Sequence, residues 1–228
     1  MKDMVMRLGP WRVERTLGRD LSGTYYAGRR DDGERATLYL LSDELAAARG
    51  ELLTRLLRLH RDVRHPGLVR FRGLDHDGSD RFLIGDAVDD ALVALRSGPR
   101  PDPGQTRAIG AVLASALVAA HDHGLVHGGL ELDNTLWAPD RAPQILGTGV
   151  AALGIADHAT LAHGDVAALG RLLCALVAGW QHRGPQAASP SGTAAADRTV
   201  ETIRLRADPG AAISLREAHA LLAAGEPT

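Results

Sequence analysis

The sequence of 228 residues predicts an α+β fold in two parts, a small β-rich part with one helix followed by a larger, mainly helical part. Up to about residue 86, short apolar runs alternate with turn signals, which favours strands. From residue 89 onward, long apolar stretches without that alternation favour buried helices. The length and a hydrophobic share of 45% suit one large domain or two lobes. We therefore expect residues 1–86 and 87–228 to form the two lobes of one domain.

The N-terminal part is predicted to hold five strands and one helix. An Asp-Asp-Gly turn at 31–33 separates the second strand from the third. Ser42 or Asp43 is a suitable cap for a helix that runs to about Val63. His65 precedes a proline and is therefore pushed out of the helical region, which ends the helix. The strands are expected at 11–17, 24–28, 36–41, 68–74 and 81–85.

The C-terminal part is predicted to be helical, with two short strands. The stretches 108–120 and 165–179 are apolar on almost every side, so both helices are expected to be buried. Residues 181–196 are rich in Pro, Ser, Gly and Ala and are predicted to be a mobile connector. The remaining elements are expected at 135–137 and 144–146 for the strands, and at 197–206 and 214–224 for the final helices.

Lysine is almost absent, because Lys2 is the only lysine among the 26 lysine and arginine residues. A Walker-type phosphate loop and Schiff-base chemistry both need a lysine, so the sequence excludes both. The net charge of −2 and an aromatic share of 4% argue against nucleic-acid binding. The single cysteine, Cys174, excludes an internal disulfide and a cysteine-based zinc site. Codon usage in a high-GC genome is the alternative explanation for the missing lysines.

A membrane segment is not expected in this sequence. Residues 1–11 lack an apolar run of signal-peptide length. The longest apolar stretches, at 108–120 and 166–178, are shorter than the ~20 residues that cross a bilayer. The chain is therefore predicted to be cytoplasmic.

Four motifs follow one another along residues 11–179. They are a glycine-rich run at 18–26, an Arg-His-Pro-Gly run at 64–67, the loop Ala-His-Asp-His-Gly-Leu-Val-His-Gly-Gly-Leu-Glu-Leu-Asp-Asn at 120–134, and Asp-Val-Ala-Ala-Leu-Gly at 165–170. Each motif is weak alone, but their order and spacing are specific. Together they resemble the bacterial serine/threonine protein kinases. The resemblance implies a two-lobed protein-kinase-like fold with a nucleotide pocket between the lobes.

The resemblance places unusual residues where the family binds phosphate in its N-terminal lobe. Asp20 replaces the second glycine of the glycine-rich loop, between the retained Gly18 and Gly23. A carboxylate beside a triphosphate is repulsive, most strongly in a cleft of low dielectric constant. Tyr39 takes the place of the strand lysine, and Leu56 takes that of the helix glutamate which pairs with it. An ion pair has thus become two uncharged side chains.

The catalytic loop departs from the family in the same way. Gly129 stands at the catalytic aspartate, Glu131 at the loop lysine and Gly147 at the metal-binding aspartate. Asn134 is the retained member of the metal-binding pair, and one neutral amide does not hold magnesium alone. A hydrogen bond that braces the loop is the alternative role of Asn134. Only 16 positions separate Gly149 from Asp165, so the activation segment is truncated.

The resemblance also implies which residues keep a structural role. His127 corresponds to the family's buried histidine, and Asp165 to the aspartate at a helix start that accepts backbone N–H groups of the catalytic loop. Leu136 corresponds to the leucine below adenine, whereas Tyr25 and Thr37 replace a smaller valine and alanine above it. These two larger side chains are expected to narrow the adenine slot.

The sequence therefore predicts a pseudokinase without cofactor that transfers no phosphoryl group and binds nucleotide weakly and independently of metal, or not at all. It would act as a protein-interaction scaffold or an allosteric subunit. The partners that the resemblance implies are an active kinase, a phosphopeptide-reading module, or a biosynthetic or envelope enzyme. One alternative is a kinase-fold enzyme with altered nucleotide-dependent transferase chemistry at Asp20, Glu131, Asp133 or Asn134. The other is a structural domain of a larger polypeptide.

Three further patterns have a functional and a structural interpretation. His121, His123 and His127 have a spacing that suits zinc, although the family often has histidines before this loop. The aspartates of the turn at 75–80 would suit calcium, but the turn lacks the distal glutamate of a calcium loop. A solvated hairpin turn is the alternative. The arginines of 55–64 would suit an acidic partner, and a solvated helix face is the alternative.

Overall fold

The computed structural model describes residues 6–43, 50–153, 158–181 and 214–224 of the chain. Its N-terminal part contains one antiparallel sheet of six strands. The strands are β1 Arg7–Leu8, β2 Trp11–Asp20, β3 Gly23–Arg29, β4 Arg35–Leu41, β5 Phe71–Asp77 and β6 Asp80–Gly85. Their order across the sheet is β1-β2-β3-β4-β6-β5.

The hairpins of this sheet are tighter than the sequence predicted. The β5–β6 turn was expected at 75–80, but the strands pair as far as Asp77 and Asp80. Gly78 makes this short turn possible, because it adopts a φ of +59° that other residues rarely adopt. The strand predicted at 68–74 correspondingly begins later, at Phe71.

One helix, α1 Gly50–Asp62, packs against β5 of the sheet. Its buried positions are Leu53, Leu56 and His60, a spacing that places all three on one side of the helix. The predicted helix began at Ser42 or Asp43, and residues 44–49 lie outside the described residues.

The C-terminal part contains a three-stranded sheet and three described helices, α2 Pro103–Asp122, α3 His158–Gln181 and α4 Leu215–Ala223. Helix α2 begins with a capping box, in which Asp102 and Gln105 satisfy each other's backbone N–H groups. Helix α3 is longer at both ends than the predicted 165–179. The connector predicted at 181–196 lies outside the described residues except for position 181, and the helix predicted at 197–206 lies wholly outside them. The elements are β7 Val93–Ala94, α2 Pro103–Asp122, β8 Thr135–Ala138, β9 Arg141–Ile145, α3 His158–Gln181 and α4 Leu215–Ala223.

One hydrophobic core runs from the sheet into the helices and includes residues as far apart as Leu17, Leu53, Leu117 and Leu222. A smaller cluster around Trp11 covers the other face of the sheet. The predicted α+β architecture, with a β-rich part followed by a helical part, is confirmed.

Helix α3 includes an apolar stretch, Thr160–Ala178, that is long enough by length and composition to cross a membrane. It is longer than the stretch that the sequence predicted. Half of it is buried inside the fold. Because a core helix of a soluble protein has the same properties, this is weak evidence for a membrane span.

Candidate functional site

Two tyrosines and one aspartate meet where β2, β3 and β4 face the C-terminal part. Tyr25 Oη donates to Asp20 Oδ2 over 2.5 Å, and Tyr39 Oη donates to Asp20 Oδ1 over 2.7 Å. The two rings are stacked with their centroids 4.1 Å apart. Both tyrosines are fully buried. Burial, together with the neighbouring Asp20 carboxylate, raises the pKa of both phenols, so both stay protonated and donate.

The same carboxylate binds the backbone of its own loop. Asp20 Oδ1 accepts the N–H groups of Ser22 over 2.8 Å and of Gly23 over 3.1 Å. Successive backbone N–H groups in a tight turn form a site for an anion. In this chain the anion is the chain's own aspartate, which satisfies two backbone donors and two phenols at once.

Two glycines show how closely the N-terminal part approaches the loop at 127–134 and the segment at 147–149. A Cβ atom placed on Gly18 would lie 2.0 Å from the backbone oxygen of Asp133. A Cβ atom placed on Gly147 would lie 1.9 Å from Tyr25 Oη. The phenol therefore fills the space directly over Gly147, the position that the kinase resemblance assigns to a metal-binding aspartate.

The remaining pocket residues are packed or bonded within the protein. Thr37 is buried, and its hydroxyl donates to the backbone oxygen of Asp86 over 2.8 Å. Leu136 is fully buried. Leu56 packs against the segment at 147–149, since a Cβ atom on Gly149 would lie 2.6 Å from its Cδ1 atom. Apolar packing is thus observed at Leu56, the position that the kinase resemblance assigns to a helix glutamate.

A second aspartate, Asp165, binds the backbone of the loop at 127–134. Asp165 is fully buried, and its two oxygens accept the N–H groups of His127 and Gly128, both over 2.8 Å. His121 Nε2 also lies 2.8 Å from Asp165 Oδ2. Asp165 was expected at a helix start, but α3 begins at His158, so the carboxylate projects from inside a helix.

Two more side chains fix the loop internally. His127 Nδ1 accepts the N–H of Gly129 over 3.2 Å, and Nε2 donates to the Leu146 oxygen over 3.0 Å. Burial lowers the pKa of His127, which keeps the ring neutral as this pattern requires. Asn134 Oδ1 accepts the N–H of Glu131 over 2.8 Å, and Nδ2 donates to the Gly129 oxygen over 2.7 Å. Asn134 thereby has the geometry of a loop brace.

The two acidic residues near Asn134 in this loop have different surroundings. The Glu131 side chain is exposed, and Asp133 pairs with Arg96 over 2.5 Å. The described residues include no group of three or more His, Cys, Asp or Glu side chains that could hold a metal ion. His123, from the spacing that would suit zinc, lies within hydrogen-bond distance of the Ala119 oxygen.

His60, which the sequence did not predict as a functional residue, connects α1 to the segment at 147–149. His60 Nδ1 accepts the N–H of Phe71 over 3.3 Å, and Nε2 donates to the Thr148 oxygen over 2.9 Å. Burial lowers the pKa of His60 to about 4. Its place on the same helix side as Leu53 and Leu56 was a signal for burial, but not for the bond to Thr148.

Comparison with known proteins identifies the class. The chain is 30% identical over 166 residues to the serine/threonine-protein kinase pkn2 of Myxococcus xanthus, and 32% identical over 139 residues to PkaB of Streptomyces coelicolor. These matches cover 69% and 58% of the chain but 20% and 33% of the relatives, so the chain corresponds to a fifth to a third of their length. No protein-family model matches the chain.

A solved structure identifies the fold. The kinase domain of Mycobacterium tuberculosis PknI is similar in structure with a TM-score of 0.66 over 96% of each chain, at 20% sequence identity. The chain therefore has a protein-kinase-like fold. Its relatives by sequence are bacterial serine/threonine protein kinases, as the order of the four motifs predicted.

Proposed function

We propose that this chain is a pseudokinase that binds a partner protein and neither binds ATP productively nor transfers a phosphoryl group. The observation that carries the proposal is the filling of the nucleotide cleft by the protein's own side chains. Tyr25 lies over Gly147, and the backbone at Gly18 lies on the backbone at Asp133. ATP could enter only if β2 moved away from the loop and both tyrosines left the core.

The chemistry of the site supports the same proposal. Phosphoryl transfer depends on cations that neutralise the phosphates and on a carboxylate that orients the attacking hydroxyl. Tyr39, Gly129 and Gly147 stand at the positions of the lysine and the two aspartates that supply these groups in the family. No lysine occurs elsewhere in the described residues to replace the missing cation.

Three of the four side chains that the alternative enzyme would use are engaged in other contacts. Asp20 accepts four hydrogen bonds, and both ends of the Asn134 amide are bonded within the loop. Asp133 pairs with Arg96. This argues against a rearranged nucleotide pose that uses these residues.

A protein-binding role is supported by hydrogen bonds within the protein that fix α1 and the cleft without a ligand. In active kinases the arrangement of the helix and the cleft depends on an ion pair and a metal-bound nucleotide. Here His60 connects α1 to Thr148, and Asp165 fixes the loop at 127–134. A fixed surface that needs no nucleotide is suited to constitutive recognition of another protein.

Two measurements test the proposal. In a thermal-shift titration with ATP, with and without Mg²⁺ or Mn²⁺, we expect no saturable rise of Tm. A ligand at about 100 times its Kd would add about 2.7 kcal/mol to the stability of the folded state, so binding would be readily seen. With γ-labelled ATP and a generic protein substrate, we expect no transfer of label. Saturable binding followed by labelling would favour the alternative enzyme.

A variant with the cleft opened provides the positive control. Asp20→Gly with Tyr25→Val restores two residues that the kinase resemblance places at these positions and removes the side chains that fill the cleft. We expect this variant to gain a measurable Tm shift with ATP if it remains folded by circular dichroism. An ATP response of the unaltered chain as large as that of the variant would contradict the proposal.

A further inference from the structure

The outer side of α1 carries arginines that have no carboxylate partner. Arg55, Arg58 and Arg61 are exposed, and within the described part of the chain none of them takes part in an ion pair. Other arginines of the chain are paired, as Arg29 is with Glu14 and Arg72 is with Glu34. The exposed carboxylates of the helix, Glu51 and Asp62, lie at its two ends, so the three arginines form a positive patch between them.

An apolar cleft of about 50 Å³ lies beside the stripe, between α1 and the segments at 124–126 and 149–153. Leu52, Leu56 and Leu59 line it from the helix, and Leu125 and Leu153 line it from the other side. Leu52 and Leu59 remain partly accessible. Arg55 also lines the cleft, so a positive charge stands at its rim.

We propose that this surface, the α1 stripe and its cleft, binds an acidic amphipathic segment of a partner protein. The inference rests on the proposed function, since it assigns the surface through which that scaffold would act. Apolar side chains of the segment would enter the cleft, and its carboxylates would face Arg55, Arg58 and Arg61. Arg55, Arg58 and Arg61 follow one another at about 4.5 Å along the helix, a spacing that carboxylates three residues apart on a bound helix can match.

An anionic membrane would also attract arginines, but the apolar residues do not suit it. A helix that lies on a membrane needs apolar side chains that protrude into the lipid. Here Leu53 and Leu56 are buried in the core, and Leu52 and Leu59 are partly buried beside the cleft. A protein segment can insert a side chain into such a cleft, whereas a flat lipid surface cannot.

The test uses a fluorescent synthetic helical peptide of about four turns, with glutamates on one side and leucines on the other. Binding to the full chain is followed by anisotropy at low and at physiological salt. We expect Arg55→Glu with Arg58→Glu to weaken binding by about tenfold or more at low salt, and the loss to shrink as salt screens the charges. Peptides with Gln in place of Glu, or Ser in place of Leu, are each expected to bind more weakly.

Arg12→Glu with Arg81→Glu is the matched control, because both arginines are exposed on the sheet and pair with no carboxylate in the described structure. This variant is expected to keep the original affinity. A peptide with Lys in place of Glu is expected to prefer the Arg55→Glu, Arg58→Glu variant over the unaltered chain. Such a reversal of preference would show that the charged side chains of the peptide contact positions 55 and 58 directly.

Three outcomes would overturn the inference. They are equal binding by the α1 variant and the unaltered chain, an equal loss in the control variant, or binding to phosphatidylserine vesicles with no binding to the peptide. An ATP titration of the same sample keeps the two proposals separate. Saturable ATP binding would remove the proposed function alone. If the unaltered chain bound neither ATP nor the peptide, this inference alone would be removed.

Discussion

Two aspartates organise two neighbouring regions of this molecule in opposite ways. Asp165 lies under the loop at 127–134 and accepts its backbone N–H groups, which maintains a loop of the kinase type. Asp20 lies in the glycine-rich loop and accepts two backbone N–H groups and two phenols, which fills the cleft. The chemistry is the same, a carboxylate that satisfies several donors. At Asp165 this chemistry holds the scaffold, and at Asp20, in the function that we propose, it closes the ligand site.

The largest effect is expected at the scaffold aspartate. Asp165→Ala would leave the buried N–H of His127 without an acceptor and remove a fully buried carboxylate. We expect a loss of about 3–5 kcal/mol in the free energy of unfolding, measured with urea. Asp122→Ala is the control, because its ion pair with Arg216 is exposed and worth less than about 1 kcal/mol. Similar losses in both variants would contradict the assigned role of Asp165.

The pH dependence of stability tests the connection from α1 to the cleft. The pKa of His60 falls to about 4 in the folded chain, while an unfolded histidine has a pKa of about 6.5. Between these values the unfolded chain binds more protons, so stability is complete above pH ~6.5 and is lost as the pH falls toward 4. The slope from one such group is at most about 1.4 kcal/mol per pH unit.

The control for this pH dependence is the same substitution, histidine to glutamine, at a different histidine. His60→Gln keeps a donor and an acceptor without titrating, so we expect it to flatten the decrease between pH 6.5 and 4. His76 is exposed, and His76→Gln is expected to leave the slope unchanged. Buried His127 contributes in the same direction, so part of the slope should remain in both variants.

Close packing over Gly147 is expected to have the next largest effect. Gly147→Ala places a methyl group against the Tyr25 hydroxyl at a backbone φ of +80°. We expect a loss of about 2–3 kcal/mol from overpacking and from the backbone conformation together. Tyr25→Phe removes the closest atom and should reduce this loss. Additive losses in the double variant would show that the two residues do not touch.

The smallest effect is expected at the cleft aspartate. Asp20→Ala would leave two phenols and two backbone N–H groups without their acceptor, and part of the site is near solvent. We expect a loss of about 2 kcal/mol in the free energy of unfolding. Asp32→Ala, in an exposed turn, is the control. In the absence of the carboxylate, Tyr25→Phe should cost less than it does in the unaltered chain.

The sequence predicted the scaffold better than the filled cleft, for a physical reason. Hydrophobic periodicity and turn residues are local, so the order of strands and helices could be derived, and motif order placed His127 and Asp165. The contacts of Asp20 with Tyr25 and Tyr39 depend on strand register and on long side chains that meet across the sheet. The sequence therefore identified Asp20 only as repulsive to phosphate, Tyr25 only as bulky, and Tyr39 only as an uncharged residue at the place of the lysine.

Direct ATP binding tests the central claim that the cleft is closed by its own side chains. Isothermal titration calorimetry of the unaltered chain with ATP and Mg²⁺ should give no saturable heat with a Kd below about 1 mM, equivalent to about −4.1 kcal/mol. The Asp20→Gly, Tyr25→Val variant should give saturable heat in the same experiment. Saturable ATP binding by the unaltered chain, with the tyrosines and Asp20 in place, would contradict the account.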